Sequence, residues 1–181
     1  MKLPSMMTHP VTRLLTGFFL AGLIWEGCAM APVKMTIKDT GQQFSVDTIL
    51  SAQTRTAVSY EDLLDDLEQV RIVYVGETHT NAAHHAIQAR LIESLHARHP
   101  DLSVGMEMFD HRYDPILAEW PAGQLDRETF IRKTHWYVRR AGWGFDFDRY
   151  APVFETVRYN DIRLVGLNVP GWIPSNMSRS R

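Results

Sequence analysis

The stretch IVYVGETHTNAAHH, at residues 72–85, does most to decide the fold of this chain and carries its first candidate site residues. Residues 72–75 are apolar β-formers, which predicts a buried strand, and Asn81 is a residue type that caps the first turn of a helix. Glu77 and His79 therefore fall on a loop between a strand and a helix. In open α/β sheets such loops lie at the carboxyl ends of the strands, where ligands bind.

Two later segments repeat this arrangement of a short apolar run that ends in a polar residue. LSVGM at residues 102–106 leads into Glu107, and IRLVGL at residues 162–167 leads into Asn168. Alternating strands and helices predict an α/β fold with a mostly parallel central sheet and flanking helices. Such a sheet would bring four polar residues to one edge: Glu77, His79, Glu107 and Asn168.

The chain before residue 72 predicts a small β-hairpin and a helix. Residues 33–37 alternate between apolar and polar side chains, residues 39–41 are turn formers, and residues 44–46 resume the alternation. Ser59 with Asp62 three positions later is an acidic variant of the capping box that opens helices. We therefore expect the hairpin first, then a helix, then the central sheet.

Composition argues for one ordinary globular domain. The chain has 181 residues, of which 45% are hydrophobic and 22% charged, with a formal net charge of −2. A charge so close to zero gives no basic field that would favour nucleic acid. The nucleophile elbow, the Walker loop and the dinucleotide-binding glycine pattern do not occur in the sequence, which argues against serine hydrolases, nucleotide hydrolases and Rossmann oxidoreductases.

The first 27 residues are typical of a signal peptide. Lys2 and Arg13 precede an apolar run at residues 14–25, which suits an export signal and falls short of a membrane span. Residues 28–181 then form a single α/β domain. The run is followed by Gly27 and Cys28, the only cysteine of the chain, in the arrangement of a lipidated amino terminus. The alternative is cleavage after residues 29–31, which have a small-x-small pattern.

Four motifs in order resemble a known family. They are VGETHTNAAHH at residues 75–85, VGMEMFD at 104–110, WYVRRAGWGFDFDRY at 136–150 and VGLNVP at 165–170. Together they resemble the ChaN-like haem-binding lipoproteins, which are related to the Tiki and erythromycin esterase proteins. The resemblance implies haem as ligand, a role in bacterial haem or iron uptake, and a lipid-anchored place in the cell envelope facing the periplasm. Relatives continue beyond VGLNVP, so we expect a domain that is incomplete at its carboxyl end.

The polar residues of the predicted sheet edge allow several kinds of site. Glu77, His79 and His84 offer a carboxylate and imidazoles, which are suitable ligands for a divalent metal, although their spacing is not that of the helical HExxH motif. Glu107 at the end of an apolar strand suits a general acid or base, and Asn168 suits either ligand contact or backbone capping. A purely structural role is the alternative for each. The candidate ligand-binding set is Glu77, His79, His84, Glu107 and Asn168.

The aromatic stretch at residues 136–150 has two interpretations. Its tryptophan, tyrosine and phenylalanine side chains favour a core or lid, and they equally suit the face of a flat macrocycle. Under the family resemblance, haem iron would be held by His or tyrosinate, and Tyr137 or Tyr150 could supply the tyrosinate. Both tyrosines are therefore candidate haem residues.

The favoured function is a binding module that holds haem, and an oligomer is compatible with it. The rival is a metal-dependent hydrolase, protease-like or esterase-like, that uses Glu77, His79 and Glu107. A third alternative is a fragment without function. Stoichiometric haem absorption without turnover favours the first, and hydrolysis that needs a metal favours the second.

We predict that Cys28 carries a lipid anchor, because it follows the apolar leader and is the only thiol. The Cys28→Ser variant should then move from the membrane pellet to the soluble fraction on cell fractionation. A variant as membrane-bound as the parent would show that lipid on this residue does not anchor the chain.

Overall fold

The computed structural model describes residues 34–36, 43–45, 47–138 and 142–170. The predicted leader with Cys28, and the tail after Pro170, lie outside these residues. A first compact unit ends at Thr48 and a second begins at Ile49. Within the described ranges, no helix has both the length and the apolar composition needed to cross a membrane.

The first unit contains the predicted β-hairpin. Strands β1 (Lys34–Thr36) and β2 (Gln43–Ser45) pair in antiparallel fashion, with Met35 opposite Phe44. The alternation of apolar and polar residues in the sequence therefore predicted this element correctly.

The second unit combines short strands with five helices. Its first strands, β3 (Ile49–Leu50) and β4 (Ala57–Val58), form an antiparallel pair. The elements after them are α1 (Tyr60–Leu67), α2 (Ala82–Arg98), β5 (Ser103–Asp110), α3 (Asp114–Glu119), α4 (Arg127–Lys133), α5 (Phe147–Tyr159) and β6 (Arg163–Asn168).

Strands β5 and β6 form the parallel pair that the sequence predicts for the centre of the sheet. Val104 lies opposite Leu164 and Met106 opposite Gly166, but the next pair is Asp110 with Asn168, so β5 bulges between Met106 and Asp110. Bulges bend a strand and redirect its side chains. Glu107 lies in this bulge. The α/β class with a parallel central pair and flanking helices is confirmed.

One prediction from the sequence was wrong. Residues 72–75 do not form the buried strand that their composition favours. The segment pairs with no other strand in the described part of the chain, and the side chains of Ile72 and Tyr74 are 67% and 87% exposed. A high β-propensity means that a residue fits well on the surface of a sheet. It does not supply the neighbouring strand with which a β-strand forms its hydrogen bonds. The Glu77 loop is therefore not held by a sheet edge.

Helix caps agree with the sequence signals. The Ser59 side chain accepts from the backbone of Asp62 while the Asp62 carboxylate accepts from the backbone of Ser59, which completes the predicted capping box of α1. The Asn81 side chain accepts from the Ala83 backbone at 2.9 Å and starts α2. Helix α2 therefore begins five residues after Glu77, which places its first turn beside the candidate site.

Aromatic side chains build the core of the second unit. Phe154 is fully buried, stacks on Phe147 at 4.9 Å between ring centroids, and meets Trp136 edge to face at 5.7 Å. The Trp120 indole donates to the Phe154 carbonyl at 2.8 Å, so its one polar atom is satisfied. Much of the aromatic stretch at residues 136–150 is therefore core, as one of its two interpretations predicted.

We predict that Phe154→Ala lowers the free energy of unfolding by about 3–5 kcal/mol, because it leaves a cavity among packed rings. The matched control is Tyr159→Ala on the same helix, where a ring that is 90% exposed should contribute less than about 0.5 kcal/mol. Urea denaturation followed by circular dichroism measures both. Similar losses for the two variants would contradict this account of the core.

Candidate functional site

The carboxylate of Glu77 is the centre of a polar cluster. Its Oε1 accepts a hydrogen bond from the Tyr150 hydroxyl at 2.6 Å and another from His79 Nδ1 at 2.8 Å. Its Oε2 lies 3.1 Å from His85 Nε2. The Glu77 side chain is only 12% exposed. Three separate segments, the loop after residue 76, α2 and α5, thus converge on one carboxylate.

Two adjacent residues of helix α5 form hydrogen bonds with the Glu77 loop. Tyr150 donates to the Glu77 carboxylate, and Arg149 Nη1 donates to the carbonyl oxygen of Thr80 at 2.7 Å. The Tyr150 hydroxyl in turn accepts from Trp143 Nε1 at 2.9 Å. Because the loop pairs with no strand among the described residues, these contacts from α5, together with the bond between the Thr78 backbone and His84 on α2, position it in the second unit.

The hydrogen bonds at Glu77 outweigh the effect of burying its charge. Burial alone would raise the pKa of the Glu77 carboxyl, but donation by His79, Tyr150 and Gln88, together with the proximity of His85, leaves that pKa below its usual value. Glu77 is therefore a carboxylate at neutral pH, and a carboxylate can only accept hydrogen bonds.

The hydroxyl of Tyr150 is held in its protonated form. Burial raises the pKa of Tyr150 strongly, and the hydrogen bond to Glu77 and the negative charges of Glu77 and Glu107 raise it further, against a smaller opposite effect of Trp143. Tyr150 itself is 1% exposed.

His79 is the cluster residue that is most open to solvent. Its side chain is 37% exposed, and its ring lies 4.7 Å from the centroids of both the Trp143 and the Phe145 rings. The contact with Trp143 is edge to face, with 76° between the planes. The His79 imidazole is thus held between the Glu77 carboxylate and two aromatic rings while part of it faces solvent.

The other predicted polar residues have backbone roles in this structure. His84 Nδ1 accepts from the Thr78 backbone at 2.9 Å. Asn168 donates through Nδ2 to the Glu107 carbonyl at 3.3 Å and accepts the Val169 backbone N–H at 2.8 Å, so it caps the end of β6 across the bulge. Glu107 is exposed on β5. The structure thus joins Glu77 with His79 directly, whereas the Glu107 side chain forms no hydrogen bond or ion pair with them.

The two tyrosines that were predicted as haem ligands differ in solvent exposure. Tyr137 is 54% exposed, and its hydroxyl accepts the backbone N–H of Phe147, the first residue of α5, at 2.9 Å. Tyr150 has its hydroxyl engaged on both sides inside the cluster. Only Tyr137 is therefore accessible to a large ligand in this conformation.

A divalent metal site does not form from the residues predicted for it. Across residues 47–138 and 142–170, and in the two short strands before them, no three His, Cys, Asp or Glu side chains are grouped to hold a metal ion. Because the Thr78 backbone occupies His84 Nδ1, that histidine does not complete a set with Glu77 and His79. The donors present fit a metal ion poorly.

His85 is a site residue that the sequence analysis missed. It is completely buried, and its ring lies 4.1 Å from that of Tyr150. Among the described residues neither of its nitrogens has a partner with hydrogen-bond geometry, although Nε2 is near Glu77. A signal existed, because His85, Ala89 and Leu95 lie on one face of α2, and that face is buried.

A comparison with protein-family profiles identifies one family for this chain. A family profile described as haem-binding uptake, Tiki superfamily, ChaN matches residues 63–180. No curated protein sequence matches the chain significantly. The solved structure of ChaN from Campylobacter jejuni, described as showing cofacial haem binding, is similar with a TM-score of 0.62 at 16% sequence identity, over 74% of this chain and 53% of that one.

This chain thus spans about half of the Campylobacter jejuni protein, and at such low identity the likeness establishes the fold alone. The sequence match is broader evidence, since it covers most of the second compact unit, including the Glu77 cluster. The chain belongs to the ChaN family of haem-binding uptake proteins in the Tiki superfamily.

Proposed function

We propose that this chain binds haem noncovalently and serves bacterial haem or iron uptake, exported and held at the cell envelope by lipid on Cys28. The observation that carries the haem part is the family match over residues 63–180. Export and anchoring are supported by the sequence alone, through the apolar run before Cys28. The cofacial haem binding described for the Campylobacter jejuni relative supports haem as the ligand.

The surface around His79 has the chemistry that a haem-binding site requires. Trp143 and Phe145 flank the imidazole and provide aromatic area for a flat apolar macrocycle. Arg149 bonds to the Thr80 carbonyl through one nitrogen, and its guanidinium has further donors for the anionic propionates of haem. We propose that haem binds at this surface, with Tyr137 as the accessible tyrosine near the start of α5.

A hydrolase is the less well supported hypothesis for the same residues. Glu77 and His79 are a bonded pair, as hydrolytic chemistry would need, but Glu77 is occupied by Tyr150 and no set of three metal ligands accompanies it in the part of the chain that the structure describes. A haem-binding site needs apolar area for the macrocycle, and the rings of Trp143 and Phe145 beside His79 offer such area.

We predict that the full chain takes up ferric haem to a fixed molar ratio, because a built site saturates whereas nonspecific adsorption does not. Titration followed by the Soret absorption band measures the ratio. The control is the same titration in denaturing urea, which should give only the absorption of free haem. Indifference to haem in the folded state, combined with hydrolysis that depends on added zinc, would favour the hydrolase instead.

We predict that Glu77→Gln lowers the free energy of unfolding at pH 7 by about 1–3 kcal/mol, because buried donors lose a charged acceptor. The folded pKa of Glu77 lies below its usual value of 4.5, so the charge stabilises the protein above that pH and less as acid protonates the folded state. The deficit of the variant should therefore shrink below about pH 4.

Urea denaturation of parent and variant at pH 7 and pH 3 measures this deficit. The matched control is Glu155→Gln, an exposed carboxylate on α5, which should change stability by less than about 0.5 kcal/mol at either pH. A deficit of Glu77→Gln that is equal at both pH values would contradict the electrostatic account of the cluster.

A further inference from the structure

The backbone of residues 72–75 is unpaired. In the part of the chain that the structure describes, the segment pairs with no strand, and none of its backbone N–H and carbonyl groups forms a hydrogen bond. Val73 nevertheless packs against the buried leucines of α1 and α2. The two helices therefore hold the segment in place, while its row of donors and acceptors is left for water or for a further strand.

The side chains of this segment alternate as those of a β-strand do. Ile72 and Tyr74 are exposed, whereas Val73 between them is partly buried. Successive side chains of a strand point to opposite faces, so Ile72 and Tyr74 share one face and Val73 lies on the other. An isoleucine and a tyrosine exposed on one face form an apolar surface of the kind that marks interaction sites.

Residues 72–75 lack the features that normally protect an exposed strand. Charged side chains and proline keep strand edges from pairing with other chains, and this run contains neither. Strands β5 and β6, by contrast, carry exposed charges at Glu107 and Arg163. The formal net charge of −2 also gives little repulsion between two copies of the chain. Association through residues 72–75 is therefore favoured over association through β5 or β6.

A second copy of the same segment is complementary to the first. In an antiparallel pair about a two-fold axis at Val73, Ile72 of one copy lies opposite Tyr74 of the other, and the reverse. Pairs of an aromatic with a β-branched side chain stabilise antiparallel strands, and the two-fold axis forms this pair twice. A shift by one residue would instead set exposed side chains opposite the half-buried Val73.

We infer that residues 72–75 form an interface between two copies of this chain, in which the segments pair as antiparallel strands. The partner is a second copy because one short run supplies both complementary halves of the interface. Such a strand pair is smaller than a standard protein interface, so the dimer should be weak and should form at micromolar concentrations or above. The pairing involves no residue of the Glu77 cluster and needs no haem, so it does not rest on the proposed function.

Analytical ultracentrifugation of the haem-free full chain over a wide range of concentration tests for the dimer. All samples carry Cys28→Ser, which removes the native thiol. Tyr74→Lys places two ammonium groups in the strand pair and should weaken association about tenfold or more. The matched control is Tyr159→Lys, because Tyr159 is an equally exposed tyrosine on α5 and its replacement should leave association unchanged. Far-UV circular dichroism checks that both variants are folded.

Cysteine cross-linking tests the register. In the proposed pair, Ile72→Cys of one copy faces Tyr74→Cys of the other with α-carbons about 4.5–5.5 Å apart, which is within reach of a disulfide. Oxidation of a mixture of the two variants should therefore give a covalent dimer, and each variant alone should give much less. The matched control is a mixture of Ile87→Cys with Tyr159→Cys, two exposed positions outside the segment, which should give none.

Three results would overturn the inference. One is a chain that stays monomeric at every concentration, which would leave the exposed segment to a different polypeptide or to no partner. The second is a dimer that Tyr74→Lys and Tyr159→Lys weaken equally, because association would then depend on another surface. The third is a covalent dimer that forms as efficiently in each single cysteine variant as in their mixture, since that would exclude the proposed register.

Discussion

The buried carboxylate of Glu77 is the interaction on which the rest of the site depends. Removing a carboxylate from water is costly, so it persists only where donors replace its hydration. Here the donors come from His79 on the same loop and from Tyr150 on α5, which is 73 residues away. The same bonds therefore stabilise the charge and hold a loop that pairs with no strand in the part of the chain that the structure describes. Loss of the carboxylate would release both.

The position of Tyr150 connects this cluster to the aromatic core. Its ring packs against Trp136 at 5.5 Å between centroids, while its hydroxyl is the donor to Glu77. A tyrosine suits this place because its body is apolar and its tip is polar. Packing of the rings around Phe154 thus fixes where the hydroxyl lies, and through it the orientation of His79. In this part of the chain, the packing of the core therefore also sets the geometry of the site.

Family membership and site geometry are independent observations. The ChaN family is one of haem-binding uptake proteins, and the cluster presents an imidazole whose second nitrogen is bonded to a carboxylate. A carboxylate partner fixes which nitrogen of an imidazole carries the proton and fixes the direction of the ring. The buried Tyr150 next to it donates to the same carboxylate and so helps to hold it in place.

Local signals in the sequence determined the fold class, the hairpin, the caps of α1 and α2, and the pairing of Glu77 with His79 two residues later. Each depends on residues within one turn or strand, where spacing is enough. Only the tertiary structure decided that residues 72–75 pair with no strand among the described residues, that His85 is buried beside Tyr150, and that the Thr78 backbone donates to His84. Strand pairing and buried hydrogen bonds need partners from distant segments or a particular side-chain direction, and neither is encoded in the spacing of residues along the chain.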